Sequence, residues 1–362
     1  MIIKNVKLLN VRNFNELDIN LSRGINIFYG ANAQGKTNFL ESVYFCATGR
    51  SQRANSDKDL IKFGENEAHI QITVEREKKY TDRIDAHIKK ETGKGIAVNG
   101  IAIKKLSELF GVLFAVIFTP EDLSLVKAGP SERRRFVDIE LCQMSAVYYY
   151  EIQQYYKILK QRNSLLKNIQ KNKELKETIF VWDEQLCNHG IKIIRHRSDF
   201  IHKINIISGK IHNEITDGTE ALETIYKPNV TEEDFRDRLK KGLDRDIMLG
   251  STQTGIHKDE ISFLINGRDS RSFGSQGQQR TASLSTKLAE ISFIHQEKRQ
   301  NPVLLLDDVF SELDSRRQAQ LVERITGVQT ILTCTGVEDV LSRFSGRGEV
   351  CCYNVDNGEI MK

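Results

Sequence analysis

The chain has 362 residues, 39% of them hydrophobic, and a formal net charge of +4, enough apolar content for one large domain or two moderate ones with packed cores. No run approaches the roughly 20 apolar residues of a membrane-spanning helix, the opening Met1-Ile2-Ile3-Lys4 reads as a strand rather than a signal peptide, and so mild a charge does not by itself argue for nucleic acid. The six cysteines form no C-x-x-C pair and the eight histidines no H-E-x-x-H or i, i+4 pair, so the expectation is a cytoplasmic protein with reduced thiols whose metal is the Mg²⁺ that travels with a nucleotide.

Val6-Lys7-Leu8 and Leu17-Asp18-Ile19-Asn20-Leu21 alternate apolar and polar residues, as half-buried strands do. Gly24-Ile25-Asn26-Ile27-Phe28-Tyr29 is a further short β run. It leads into Gly30-Ala31-Asn32-Ala33-Gln34-Gly35-Lys36-Thr37, whose G-x-x-x-x-G-K-T spacing suits a loop wrapped around the phosphates of ATP or GTP. The glycines permit positive φ and bring N–H groups close to the anion; Lys36 adds charge at the β/γ-phosphates, and Thr37 offers Mg²⁺ a hydroxyl. Asn38 opens the helix that follows, where Phe39, Leu40, Val43, Tyr44 and Ala47 recur at helical spacing and the positive dipole end faces the phosphates.

Ile70, Ile72 and Val74 resume the strand alternation, and Val112 to Phe118 reads as a buried strand. Three Asn-Gly dipeptides, Asn99-Gly100, Asn266-Gly267 and Asn357-Gly358, predict hairpins with type I′ turns. From Ser131 to about Leu186, the residues Val137, Leu141, Met144, Tyr148, Ile152, Tyr155, Leu159, Leu166 and Ile169 follow three-and-four spacing broken only by Arg162, which predicts one long amphipathic helix. Its polar face is expected to carry Lys157, Lys160, Arg162, Lys167, Lys171, Lys173 and Lys176, and helical pattern continues through Ile191 to Ile215 and Glu232 to Leu249. The organisation expected is a head domain (1–125 and 250–362) interrupted by a helical insertion (126–249).

β pattern returns at Ile261, Phe263 and Ile265. Phe273-Gly274-Ser275-Gln276-Gly277-Gln278-Gln279-Arg280 then opens a helix with Leu284, Leu288, Ile291 and Ile294 on one face, so Ser275, the N–H groups around Gly277 and Gln278 form a second anion cradle. Val303-Leu304-Leu305-Leu306-Asp307-Asp308 is a buried-strand run ending in two carboxylates. Beside a phosphate loop, Asp307 suits Mg²⁺ and Asp308 suits orienting or deprotonating the attacking water. The candidate catalytic set is Lys36, Asp307 and Asp308, to which the resemblance given next adds Ser275.

The S-x-G-Q core at a helix start, the acid-ended strand about thirty residues later and Ser311-Glu312-Leu313-Asp314 resemble the signature, Walker B and D-loop series of ABC-type ATPases. The resemblance implies an α/β fold, an ABC-type P-loop ATPase head with β-rich and helical lobes plus the inserted α-helical domain, in which the signature of one subunit caps the γ-phosphate held by the other. More local strings are similar to the RecF family: Arg12-Asn13-Phe14, Gly49-Arg50-Ser51, Thr119-Pro120-Glu121-Asp122-Leu123, Arg133-Arg134-Arg135-Phe136, Gln161-Arg162-Asn163, Gly255-Ile256-His257-Lys258-Asp259 and Ser275-Gln276-Gly277-Gln278-Gln279-Arg280-Thr281. An SMC protein separates its motif halves by hundreds of residues of coiled coil, whereas the main helix here should reach only about 60 to 80 Å. A transporter ATPase usually has a histidine after the strand that follows the D-loop, where this chain has Cys334 and Thr335 after Thr330-Ile331-Leu332-Thr333, so slow hydrolysis is expected.

The resemblance to the RecF family implies an ATP-dependent homodimer and a weak DNA-dependent ATPase of recombinational repair, tied to DNA damage, replication and the SOS response. It also implies help in loading RecA at gapped or single/double-strand junction DNA, alongside RecO and RecR. Charge and position suggest Arg50, Arg53, Arg133, Arg134, Arg135, Lys157, Lys160, Arg162 and Lys258 for sequence-independent phosphate contacts. Arg12 and Asn13 are candidates for the adenine side or for a plain strand end, Glu121 for a γ-phosphate-sensing loop or a solvated acid, and His257 for a satisfied structural histidine. The energising subunit of a membrane transporter and an SMC-like bridging protein are the alternatives.

Overall fold

The computed structural model describes residues 1–54, 56–76 and 80–361. The chain divides into two units, Met1–Ser124 with Ser283–Lys362, and Leu125–Ala282. The first unit begins with β1 (Ile2–Val11), β2 (Phe14–Asn20), β3 (Ile25–Tyr29), α1 (Lys36–Thr48), β4 (Glu67–Glu75), β5 (Thr81–Lys89), β6 (Gly93–Val98), β7 (Ile101–Ala102) and β8 (Ala115–Phe118). The second contains α2 (Pro130–Met144), α3 (Ala146–Ile169), α4 (Ile179–Ile215), β9 (Leu222–Lys227), α5 (Phe235–Lys241), α6 (Leu243–Leu249), β10 (Glu260–Ile265), β11 (Arg268–Asp269) and α7 (Ser270–Phe273). From there α8 (Gln276–Lys298) carries the chain back, and β12 (Val303–Asp307), α9 (Ser315–Ile325), β13 (Thr330–Cys334), α10 (Glu338–Arg343), β14 (Val350–Asp356) and β15 (Glu359–Met361) complete the first unit.

Two six-stranded sheets build the first unit. One has the order β2-β1-β4-β5-β6-β7 with antiparallel pairing throughout; the other runs β15-β14-β3-β13-β12-β8 and is parallel except at β14/β15. Sequence explains the difference. Each of β3, β8, β12 and β13 is a short apolar run buried along almost its whole length, the signature of a sheet covered on both faces, while β4 alternates buried and wetter positions and so leaves one face to solvent. β3 lies between β13 and β14, both of them supplied by the far end of the chain.

All three Asn-Gly dipeptides close hairpins, β6/β7, β10/β11 and β14/β15, with both residues at positive φ: 54° and 80°, 49° and 75°, and 48° and 80°. The single helix expected over 131–186 is instead three segments. Ser145 leaves helical space (φ −146°, ψ 109°) and turns its hydroxyl to the Tyr148 N–H at 3.1 Å, ending α2 and capping α3. After Ile169 the chain turns back, and α4 is the longest helix described, 37 residues or about 55 Å, shorter than the expected reach. The segment 250–282, placed in the head by its β pattern, divides with the second unit because β10 pairs with β9.

In that unit α4 carries Arg197 into the core, fully buried. Its guanidinium reaches Asp138 at 2.8 Å, Asp259 at 2.8 Å, the Ile256 carbonyl at 2.8 Å and the Tyr148 hydroxyl at 3.2 Å. Asp259 also accepts the Asn229 N–H at 2.9 Å and the Tyr226 hydroxyl, and burial raises its carboxyl above the ordinary range.

Candidate functional site

The phosphate loop leaves the carboxyl end of β3, and β13 and β12 end beside it, the edge of a parallel sheet where ligands bind. Gly30 and Gly35 stand at φ 145° and 116°; a Cβ at Gly30 would lie 2.3 Å from the Val355 carbonyl, and one at Gly35 2.5 Å from the Asn13 amide. Gly35 is the N-cap of α1, so the unpaired N–H groups that every helix start leaves point out of the loop. Lys36 is buried, and its ammonium donates to the carbonyls of Gly30 and Ala31 at 2.7 Å each. Burial holds that ammonium below the usual lysine range, with Asp308 pulling the other way.

Thr37, the next residue, donates its hydroxyl to Asp307 Oδ1 at 2.7 Å, which brings together the two halves of the site from opposite ends of the chain. Thr333, at the end of β13, donates to the same Oδ1 at 2.9 Å and accepts the Asp308 N–H at 2.9 Å. Asp308 sits at φ 52°, a left-handed conformation that costs a non-glycine residue on the order of 1–3 kcal/mol. Burial raises its carboxyl above the ordinary value, and the neighbouring Asp307 adds to this. One buried ammonium, one metal-suited carboxylate and one carboxyl of raised proton affinity thus converge on the loop.

The loop is braced from two sides. Asn13 donates to the Gln34 carbonyl at 2.6 Å and accepts from Asn38 at 2.9 Å. From the other side, the Asn357 N–H reaches Gln34 Oε1 at 2.6 Å and the Gly358 N–H reaches the Gln34 carbonyl at 3.1 Å. Asn13 is therefore a strut of the loop, and Arg12 is engaged with the buried Glu41 at 3.2 Å. Thr333 and the Asn357-Gly358 turn were not singled out for the site from sequence, because one is a strand residue among apolar neighbours and the other reads only as a hairpin.

Ser275, Gly277 and Gln278 belong to the second unit, where they open α8. The Ser275 hydroxyl accepts the Gln278 N–H at 3.2 Å while Gln278 Oε1 accepts the Ser275 N–H at 2.9 Å, a reciprocal cap that leaves Ser275 exposed. Among the basic candidates, Arg50, Arg53, Arg135, Lys157, Lys160 and Lys258 are exposed. Arg162 is not on the polar face: it is 0% exposed and bonds Asp183 at 2.6 Å, Asp246 at 2.7 Å and Thr252 at 2.8 Å. It occupies a position on the apolar stripe of α3, where burial in the company of two carboxylates is the physical outcome. Arg133 is likewise buried against Glu260 at 2.7 Å, and Arg134 donates to the Asp259 carbonyl at 2.7 Å. Glu121 is exposed beyond β8. His257 is satisfied by the Tyr155 hydroxyl at 2.9 Å and the Thr252 carbonyl at 3.0 Å, and burial pushes its imidazole down to about 4.

The family model of the RecF/RecN/SMC N terminal domain matches residues 2–340. The DNA replication and repair protein RecF of Lachnoclostridium phytofermentans is 50% identical over 362 residues, 100% of both chains, and the RecF protein of Clostridium botulinum (strain Okra) is 45% identical over 367 aligned residues, again 100% of both. A solved structure of the recombination mediator protein RecF with ATP, in the RecFOR pathway, aligns with a TM-score of 0.92 at 36% identity, covering 99% of this chain and 97% of that one. An SMC head bound to the C-winged helix domain of ScpA aligns with a TM-score of 0.58 at 16% identity over 99% and 96% of the two chains, a likeness of fold alone. On the strength of the full-length matches to RecF proteins, the chain belongs to the RecF/RecN/SMC N-terminal-domain family and, within it, to the RecF DNA replication and repair proteins.

Proposed function

We propose that this chain is an ATP-driven switch of DNA binding in recombinational repair, and the observation that carries the proposal is the bond from Thr37 to Asp307 with Asp308 alongside. The residues present fit a magnesium nucleotide. Thr37 and Asp307 are oxygen ligands already in register, suited to Mg²⁺, which supplies charge neutralisation at the phosphates. The Lys36 ammonium rests on two carbonyls of its own loop, partners it can exchange for phosphate oxygens without leaving its place. Asp308 is the group suited to orient the attacking water, and Thr333 fixes it relative to Asp307.

The second cradle, Ser275 with the start of α8, would cap the nucleotide held by another copy, so that ATP favours a homodimer and hydrolysis releases it. Arg50 and Arg53 in the first unit, and Arg135, Lys157, Lys160 and Lys258 in the second, supply exposed charge for phosphate contacts of any sequence. The RecF structures described within the RecFOR pathway support RecO and RecR as partners; the proposed outcome is help in RecA loading at gapped DNA, and the proposed place of action is the cytoplasm. A transporter subunit or an SMC-like bridging protein is not favoured, since the full-length relatives are RecF proteins.

The test is DNA affinity against salt with and without ATP. Affinity should fall steeply between about 50 and 200 mM salt, tighten about tenfold or more with ATP, and lose the ATP effect in Ser275→Ala. No response of DNA binding to ATP at any salt would overturn the switch. A separate expectation concerns Thr333→Val: single-turnover hydrolysis should slow about tenfold, the value of one hydrogen bond to a charged group, while ATP affinity stays within about twofold. Thr333→Ser should restore the rate, and an unchanged rate in Thr333→Val would remove the residue from any role in positioning the carboxylates.

A further inference from the structure

On the solvent face of the antiparallel sheet lies a group of side chains that nucleotide chemistry leaves unused. His69 on β4 stands directly opposite His87 on β5, their rings stacked with centroids 3.7 Å apart. Glu67 precedes His69 by one strand period and so shares its face; its Oε2 lies 3.0 Å from His87 Nε2. One ligand atom from each of the three residues falls within 4.8 Å of the others. The β4/β5 ladder holds one register from Glu67 opposite Lys89 to Glu75 opposite Thr81, so the backbone that presents them is fixed.

The neighbours on either side leave room. Leu9 on β1 faces His69, and Gly95 on β6 faces His87. A Cβ built at Gly95 would meet nothing within 4 Å, so the space beside the His87 ring is open to solvent and to a further ligand. Among the described residues, the Lys89 ammonium lies 3.5 Å from Glu67 Oε2, an exposed and weak contact that an ion of higher charge displaces.

We propose that Glu67, His69 and His87 form a binding site for a divalent cation of the zinc class, two imidazole nitrogens and one carboxylate oxygen with a fourth position open to water. This donor set suits a borderline cation rather than Mg²⁺, which prefers oxygen alone. The three atoms already lie within 4.8 Å of one another, and ligation would draw each to about 2.0–2.2 Å from the ion. Bound there, the ion clips β4 to β5 across the ladder. The site is independent of the nucleotide reading, and it can fail or hold without it.

The experiment uses the full chain, stripped with a chelator, dialysed and titrated with Zn²⁺ by calorimetry without nucleotide. The unaltered protein should show a site that the His69→Gln/His87→Gln double variant weakens by about a hundredfold or more, an effect at least as large as loss of a ligand's supporting contacts. Zn²⁺ should also raise the melting temperature of the unaltered chain and not that of the double variant. Both side chains are half-buried on a wet face, so the variant keeps the fold, and circular dichroism verifies this. Because the cysteines offer zinc other positions, the comparison between the two proteins decides: equal stoichiometry and affinity, or no uptake by the unaltered chain up to about 0.1 mM Zn²⁺, overturns the proposal.

Discussion

Lys36→Ala should reduce ATP affinity by about a hundredfold and abolish the ATP-dependent tightening on DNA, while leaving the fold intact. The ammonium is suited to make two charge-assisted hydrogen bonds to phosphate, each worth about 1.5–3 kcal/mol, and about 3 kcal/mol in total corresponds to that loss. Among the described residues its ammonium donates to the Gly30 and Ala31 carbonyls, and burial already disfavours its charge, so removing it costs the folded state little. Titration with a fluorescent ATP analogue, paired with a thermal melt, checks both halves. Affinity retained within about threefold would mean that Lys36 does not meet the phosphates.

Arg197→Met should be strongly destabilising. It strands the fully buried Asp259, and the partly buried Asp138 beside it, without their cation, and breaking a buried pair in this way costs about 3–5 kcal/mol. A fall in melting temperature of roughly 6–20 °C follows for a unit of this size. Arg197→Lys should recover only part, since an ammonium cannot reproduce the forked contacts to both carboxylates and the Ile256 carbonyl. The exposed Lys157→Ala is the control, expected within about 0.5 kcal/mol of the unaltered chain. A loss under about 1 kcal/mol for Arg197→Met would show that the carboxylates find protons or water instead.

How much of this was legible beforehand follows from the range of the interactions. The phosphate loop, the acid-ended strand and the three Asn-Gly hairpins are local: glycine φ, strand burial and turn chemistry are written in consecutive residues, and the structure carries them out. The Thr37–Asp307 bond was inferable because each half has its own signature. Spacing and charge put Arg162 on the wet face of its helix and Arg133 at an exposed helix end, yet both are buried, and only the position of Arg162 within the α3 apolar stripe hints at burial with partners from α4 and α6. The break at Ser145 turns on one cap inside an apolar rhythm that runs on from Leu141 and Met144 to Tyr148. Thr333 and the His69/His87 pair arise between strands, and the Gln34 contacts of Asn357 and Gly358 between a loop and a distant turn, and local spacing rules contain no term for residues that meet only through the fold.

The place of β3 has a consequence for how the protein is made. Its sheet neighbours, β13 and β14, lie some three hundred residues downstream, which at about 5–20 residues per second means roughly 15–60 s of translation before either exists. During that interval Ile25, Ile27 and Phe28, all buried in the finished sheet, have no β partner emerging from the ribosome. The strand that leads into the glycine loop is thus the one that waits longest, an apolar edge for chaperones to cover until the last strands arrive.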